Sequence, residues 1–171
     1  YSTVEDAWES LPSLPHACGT DTVSTVVAES ILYVLAAIPV CDGSFHWMFI
    51  RFNPHTSAWE QLASPKMKIL APRDTYPYTL RPVVLDRRIY VTDGHCVMRY
   101  TAETQWEFLP APPNCRRVSR MVVANRALYV LTTDDPPEQL CGFYCYRPAM
   151  ECWEALELSL IHISEPTRLL S

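Results

Sequence analysis

Cysteine and histidine are the side chains of this sequence that could bind a metal ion or supply a nucleophile. The chain has seven cysteines and five histidines, with no CxxC pair and no His-x-His or His-x3-His set. Cys141, Cys145 and Cys152 leave a zinc site open as an alternative, although their spacing is not that of the usual zinc motifs. The sequence contains neither a glycine-rich phosphate loop nor a G-x-S-x-G elbow. We therefore predict no metal, no cofactor and no catalytic residue.

Composition narrows the class of protein further. Of the 171 residues, 49% are apolar, which is enough for a folded core, and the net charge of -5 argues against a general nucleic-acid binder. No apolar run approaches the roughly 18 residues of a membrane span. An odd number of cysteines, without an Asn-x-Ser/Thr site, favours a reducing compartment. We expect a cytoplasmic protein that binds neither nucleic acid nor membrane.

Two motifs recur along the chain and indicate the elements that position its polar residues. The first is a Val-Val pair whose second Val lies six residues before a Tyr, and this Tyr stands between an aliphatic residue and Val. It occurs at residues 26–34, 83–91 and 122–130. Each copy predicts two short β-strands joined by a tight turn, and three copies indicate an internal repeat.

The second motif is an aromatic residue followed six or seven residues later by Trp. The Trp residues are 51, 47 and 47 residues apart, and polar turn formers within the motif predict a hairpin. Because these aromatic residues and the Tyr of the first motif recur with the scaffold, we interpret them as packing residues. The pairs are Tyr1 and Trp8, Phe52 and Trp59, Tyr100 and Trp106, and Tyr146 and Trp153.

One repeat therefore contains two hairpins, or four strands, and the predicted fold class is all-β. Four-stranded antiparallel repeats of this length stack radially as the blades of a β-propeller. About three blades and a leading hairpin would form a partial, open propeller with apolar faces exposed on both end blades. The predicted strands are 22–28, 31–36, 47–52 and 57–62; 79–85, 88–92, 95–100 and 104–109; and 117–124, 127–132, 141–146 and 152–157.

The repeat resembles the kelch repeat, with its apolar first strand, aliphatic-Tyr-Val second strand, Tyr or Phe before Trp, and Leu-Pro thereafter. Kelch repeats usually carry Gly-Gly after the second strand, whereas this chain has Ala36-Ala37, Asp93-Gly94 and Thr132-Thr133, so its repeats are degenerate. The resemblance divides the chain into the end of a preceding blade at 1–15, three blades at 16–63, 64–110 and 111–157, and a tail at 158–171.

The tail at 158–171 is predicted to be non-native. Residues 158–168 resemble the translation of a sequencing adapter over eleven consecutive positions. The alternative is a natural C-terminal strand. We leave the tail, including His162, out of the interpretation of fold and function.

In kelch propellers, one face carries the loops from second to third strands and the loops into first strands, and the resemblance implies that this face binds a protein partner. Function commonly lies on such loops, because a rigid scaffold positions them. Arginine, tyrosine and other polar side chains there could anchor the partner, and the alternative is that they are ordinary solvated residues. The candidates are Arg73, Tyr76, His95, Arg116, Asp134 and Asp135.

The resemblance implies a protein-interaction module and no enzyme. In animals, kelch propellers often follow BTB and BACK domains in adaptors of cullin-RING ubiquitin ligases. There the propeller binds the protein substrate, and a BTB domain, absent from these residues, binds the cullin. Two alternatives stay open: a kelch scaffold of actin-associated or F-box type, and an oxidase-like or lyase-like kelch enzyme.

Overall fold

The computed structural model describes residues 8, 10–15, 23–39, 45–65, 81–115, 117–133 and 140–157. These residues form twelve β-strands and contain no helix that could cross a membrane. The strands are β1 (Val23–Ala28), β2 (Ile31–Pro39), β3 (Phe45–Asn53), β4 (Ala58–Leu62), β5 (Val83–Leu85), β6 (Arg88–Thr92), β7 (Val97–Thr101), β8 (Gln105–Phe108), β9 (Arg117–Ala124), β10 (Ala127–Thr133), β11 (Leu140–Arg147) and β12 (Cys152–Leu156).

Each set of four consecutive strands forms one antiparallel sheet, in the order of the chain. We call β1–β4, β5–β8 and β9–β12 the first, second and third sheets. The predicted all-β class and its three four-stranded antiparallel sheets are thus confirmed. The largest differences are at β5, which begins at Val83 although the prediction started at residue 79, and at β2, which continues to Pro39 rather than ending at residue 36; β7 also begins late, at Val97 rather than residue 95. The strand β2 is longer because β3 pairs with it over almost its whole length, from Leu32 with Phe52 to Pro39 with Phe45.

Two-residue turns join the first and second strands of every sheet. Their central residues all have positive φ, although none is glycine. Positive φ at both positions gives the turn the twist of the strands that it joins, which is the geometry favoured in two-residue hairpins. The turn residues are Glu29 and Ser30, Asp86 and Arg87, and Asn125 and Arg126.

The first strands of successive sheets lie next to one another, because β1 contacts β5 and β6, and β5 contacts β9. One apolar cluster lies between the first and second sheets, where Tyr33 and Phe49 meet Tyr100. A second cluster lies between the second and third sheets, where Tyr90 belongs to the same buried group as Tyr146. Sheets packed face to face with their first strands adjacent fit a partial propeller-like β fold.

A repeated hydrogen bond from a Trp indole connects each sheet to the preceding segment. Trp106 Nε1 donates to the backbone oxygen of Ala63 at 2.8 Å, and Trp153 Nε1 donates to that of Pro110 at 2.6 Å. Trp59 Nε1 donates in the same way to Pro12, at 2.8 Å. The packing role predicted for these three Trp residues therefore includes a specific bond between repeats.

A repeated ion pair connects the tight turns of neighbouring sheets. Arg87 Nε lies 2.9 Å from Glu29 Oε1, and Arg126 Nη2 lies 3.6 Å from Asp86 Oδ1. In both pairs, the acid is the first residue of one turn and the arginine is the second residue of the next turn. These side chains are well exposed, so each pair contributes little to stability but indicates a regular stacking of the sheets.

The two end sheets differ in exposure. The outer face of the third sheet carries Val122, an exposed apolar side chain, as expected for an end blade. The outer face of the first sheet fits that expectation in part, because Val27 is 61% exposed there, whereas Met48 and Ile50 are buried. The described chain before β1 covers part of this face, since Leu14 packs against the buried cluster and Pro12 accepts the Trp59 bond.

Candidate functional site

The connections between strands gather at two ends of the sheets. In an antiparallel sheet of sequential strands, the β6–β7 connection lies at the opposite end from the β5–β6 and β7–β8 turns. We call the end with the second-to-third strand connections the loop end. Of the six predicted site residues, His95 is described and lies there, in the β6–β7 turn. The others lie outside the described residues and stay predictions: Arg73, Tyr76, Arg116, Asp134 and Asp135.

Side chains of β6 and of the turn itself hold the β6–β7 turn in shape. Asp93 Oδ1 accepts hydrogen bonds from the backbone N–H of His95 at 2.8 Å and of Cys96 at 2.9 Å. Thr92 Oγ1 accepts from the N–H of Gly94 at 3.0 Å. Three consecutive backbone donors are therefore satisfied locally, as is typical of turns built by Asp and Thr. The side chain of His95 is left exposed on an ordered turn.

A backbone bond also joins this turn to the third sheet. Val118 N–H, near the start of β9, donates to the carbonyl oxygen of Gly94 at 2.6 Å. Gly94 has a φ of 92°, which side-chain-bearing residues rarely adopt, and a Cβ placed there would lie 3.7 Å from the Arg117 side chain. The turn and the entry into β9 are thus neighbours at the loop end, as the kelch resemblance implied for these two kinds of loop.

Cys96, which directly follows His95 in this turn, has a side chain that could act as a nucleophile. Its Sγ lies 3.4 Å from both carboxylate oxygens of Asp93. Burial in the first place, and then the negative charge of Asp93, raise the pKa of the Cys96 thiol to about 12. The thiol is protonated at neutral pH, and a protonated thiol is a poor nucleophile and a poor metal ligand. Across the described ranges, no group of three or more His, Cys, Asp or Glu is arranged to hold a metal ion.

Two residues of this turn region were missed by sequence reasoning. Asp93 was considered only as a replacement for a glycine, although Asp-Gly is a turn signal and explains the bonds to His95 and Cys96. Arg117 begins the predicted strand 117–124, and its proximity to Gly94 depends on how two sheets pack. The first could have been found from local sequence, whereas the second required the structure.

A cleft of about 300 Å³ lies at the other end of the first sheet, between its two hairpin turns. Arg51 and His55 line it. Arg51 Nε lies 2.7 Å from Glu60 Oε2, and Asn53 Nδ2 donates to the other oxygen of Glu60, also at 2.7 Å. These bonds, with that from Asn53 the larger cause, lower the pKa of Glu60. Because both carboxylate oxygens of Glu60 are bonded to neighbouring side chains, we interpret the cleft as a stabilised end of the sheet and not as a binding site.

The second sheet contains a corresponding Arg–Glu pair in a more buried position. Arg99 and Glu107 are cross-strand partners, as Arg51 and Glu60 are. Arg99 Nε lies 2.7 Å from Glu107 Oε1, and its Nη2 lies 3.3 Å from Glu151 Oε1 in the β11–β12 turn of the third sheet. This pair therefore also links two sheets. Sequence reasoning missed it, although Arg before the aromatic residue and Glu after Trp occur in both repeats.

A comparison with solved structures supports the fold. The structure of YjhT matches with a TM-score of 0.59 and 14% sequence identity, over 94% of this chain. This chain spans 57% of the length of that one. At so low an identity, the likeness shows the fold alone. No protein-family model matches the chain, and no curated protein matches it.

Proposed function

We propose that this chain is part of a kelch-type β-propeller that binds a protein partner through its loop end. The observation that carries the proposal is the β6–β7 turn, which holds His95 exposed on a backbone fixed by Asp93 and by Val118 of the next sheet. A fixed turn loses little conformational freedom when a partner binds, so more of the contact energy contributes to affinity.

Binding, with no covalent chemistry, is the activity that fits the described part of this end. The exposed imidazole of His95 can donate or accept a hydrogen bond, and Arg117 adds a positive charge beside Gly94. The nearby thiol of Cys96 is held in its unreactive protonated form. We assign no catalytic residue, metal or cofactor. The remaining loop candidates of the sequence analysis complete the proposed binding face.

The proposed cellular role is that of a substrate-binding propeller in a BTB-kelch adaptor of a cullin-RING ubiquitin ligase, acting in the cytoplasm. This role is supported by the kelch-like repeat in the sequence together with the propeller-like fold. In such an adaptor, the propeller selects the protein substrate, and a BTB domain elsewhere in the polypeptide recruits the cullin.

The test compares two exposed histidines at opposite ends of the sheets. His95 belongs to the loop end, and His55 belongs to the β3–β4 turn, where Asn53 Oδ1 accepts its N–H at 3.0 Å. The two turns are built alike, so His95→Ala and His55→Ala are matched changes. Proteins captured from cells by the full-length wild type are compared quantitatively with those captured by each variant. We expect His95→Ala to weaken capture of the partner and His55→Ala to leave it unchanged.

Two results would contradict the proposal. Capture that is unaffected by His95→Ala, even when combined with Arg117→Ala, would remove the loop end as the binding face. Loss of capture with His55→Ala alone would place the binding face at the opposite end. The ubiquitin-ligase role has its own readout, because a cullin should co-purify with the full-length protein in both histidine variants.

A further inference from the structure

The start of β9 carries a sequence motif that the proposed function does not use. Arg116 and Arg117 stand three and two residues before Ser119. Arginines at these two positions are the charge pattern by which basophilic serine/threonine kinases recognise their substrates. Arg116 lies outside the described residues, whereas Arg117 and Ser119 belong to β9. Because so short a motif is common, the position of Ser119 in the fold decides whether a kinase could use it.

Ser119 is the extra residue of a β-bulge in β9. Val118 pairs with Thr132 of β10, and Arg120 pairs with Leu131, which directly precedes Thr132. One residue more therefore stands in β9 than in the facing part of β10. A bulge interrupts the ladder of backbone hydrogen bonds and can re-aim the side chain that it carries.

The exposure of the neighbouring side chains shows what the bulge does here. In a regular strand, successive side chains point to opposite faces of the sheet. In β9, Ser119 and Arg120 are both exposed, and they stand between Val118 and Met121, which are both buried. The bulge therefore leaves the Ser119 hydroxyl accessible to solvent within a strand whose flanking residues belong to the core.

The backbone around Ser119 is at an edge of its sheet and is irregularly paired. The strand β9 lies at one edge of the third sheet, with β10 as its neighbour. The pairing of β10 with β11 also shifts its register at this end, between Thr132 and Thr133. Edge segments with interrupted ladders open locally at a low free energy. We therefore expect the segment around Ser119 to detach from β10 readily and to enter a kinase in the extended form that it already has.

Two arginines flank the position that a phosphate on Ser119 would take. Arg120 Nη1 donates to the carbonyl oxygen of Ser119 at 3.2 Å, so its guanidinium lies beside the modified residue. The Arg117 side chain lies beside the β6–β7 turn, close to Gly94. A phosphoserine carries a charge of about -1.5 to -2 at neutral pH and accepts strong hydrogen bonds from arginine. A phosphate on Ser119 would therefore be stabilised by the local charge.

We propose that Ser119 is a phosphorylation site for a basophilic serine/threonine kinase and that its phosphate regulates the loop end. The Oγ of Ser119 attacks the γ-phosphorus of ATP, the bond from this phosphorus to the bridging oxygen breaks to release ADP, and the hydroxyl proton passes to the catalytic aspartate of the kinase. Val118, next to Ser119, binds Gly94 in the turn of His95, so the new negative charge lies at the loop end. The regulation rests on the proposed function, whereas the modification itself does not.

The experiment treats the folded full-length protein with MgATP and the catalytic subunit of protein kinase A, and mass spectrometry locates and counts the phosphate. We expect Ser119 to be labelled at an initial rate within about tenfold of that of a synthetic peptide of residues 111–123, because local opening exposes the segment. Arg116→Ala should slow labelling by about tenfold or more, because it removes half of the recognised charge pattern. Arg126→Ala, a matched change in the turn at the other end of β9, should leave the rate unchanged.

The chain also contains an internal reference for the site. Ser24 belongs to β1, which is the first strand of its sheet as β9 is, but it pairs regularly with Leu35 and has no arginine in the three residues before it. We expect Ser24 to stay unlabelled. A folded protein that is not labelled at Ser119 while the peptide is labelled, or equal labelling of Ser119→Ala, would overturn the site.

The regulation has a separate readout. Treated wild type should capture its partner several-fold more weakly than Ser119→Ala treated in the same way, because the phosphate offsets the positive charge of Arg117. Equal capture by the two would overturn the regulation while leaving the site. Failure of the proposed function is recognised independently, because His95→Ala and Arg117→Ala would then leave capture by the untreated protein unaffected.

Discussion

Replacing Glu107 by glutamine tests whether the stability of the fold depends on the ion pair between Glu107 and the buried Arg99. Only 9% of the Arg99 side chain is exposed, and its Nη1 is buried with no hydrogen-bond partner among the described residues. Its pairing in that region comes from Glu107 at 2.7 Å and from the exposed Glu151 at 3.3 Å. Glu107→Gln keeps the size of the side chain but removes the charge nearest to the guanidinium.

The expected loss follows from what remains after the change. Removing one partner of a buried ion pair usually costs about 3–5 kcal/mol, because the other charge is left buried without compensation. Glutamine still offers an oxygen to Arg99, and Glu151 still contributes. We therefore expect a loss of about 2 kcal/mol in the free energy of unfolding. Urea denaturation followed by tryptophan fluorescence and circular dichroism, at neutral pH, measures it.

Two comparisons make the reasoning refutable. Glu60→Gln breaks the corresponding pair of the first sheet, where both side chains are 34% exposed and water can replace the lost partner, so its effect should be smaller. Adding Arg99→Met to Glu107→Gln removes the unpaired buried charge and should restore part of the stability. Equal losses for the two glutamine variants, or a further loss in the double variant, would show that burial of Arg99 is not the cause.

Three further predictions concern acid stability, a strained turn and a thiol. The free energy of unfolding should fall as the pH drops below about 4.5, and less so in Glu107→Gln, because the hydrogen bond from the buried guanidinium lowers the pKa of Glu107 in the folded state and the unfolded chain is protonated first. Ser30→Gly should raise the free energy of unfolding by about 1 kcal/mol in urea titrations, because Ser30 has a φ of 62°, whereas Ser119→Gly in β9 should lower it. Cys96 should resist iodoacetamide at about pH 8. The change Asp93→Asn keeps a side-chain oxygen that can accept the backbone N–H bonds but removes the negative charge, so it should speed alkylation of Cys96 as followed by mass spectrometry.

The strands of this chain could be predicted because their signals are local and repeated. A Val-Val pair, a two-residue polar turn and an aliphatic-Tyr-Val triplet specify a hairpin without knowledge of distant contacts. The ends of strands were less predictable where a neighbour decides them. The strand β2 continues through Ala36 and Ala37 to Pro39 because β3 offers partners there, and β7 starts late because Asp93 binds the preceding backbone.

Contacts between repeats could not be predicted in the same way. The bond from Trp106 to Ala63 joins residues 43 positions apart, and it exists only because two sheets pack with their first strands adjacent. The sequence does contain its trace, since each acceptor lies four residues after a Trp. The candidate site was harder still. His95 was found as an exposed polar loop residue, but its fixed turn depends on Val118 of another sheet.

The connections between strands are uniform in length at one end of the sheets and vary in length at the loop end. At the end opposite to the loop end, two-residue turns join the first and second strands at residues 29–30, 86–87 and 125–126. The ion pairs between these turns connect neighbouring sheets. At the loop end, the connections range from residues 93–96 to residues 63–82. A stack that is held together at its faces and at one end can tolerate such variation at the other, because insertions there disturb neither set of contacts. The loop end is therefore where new binding specificity can arise without loss of the fold.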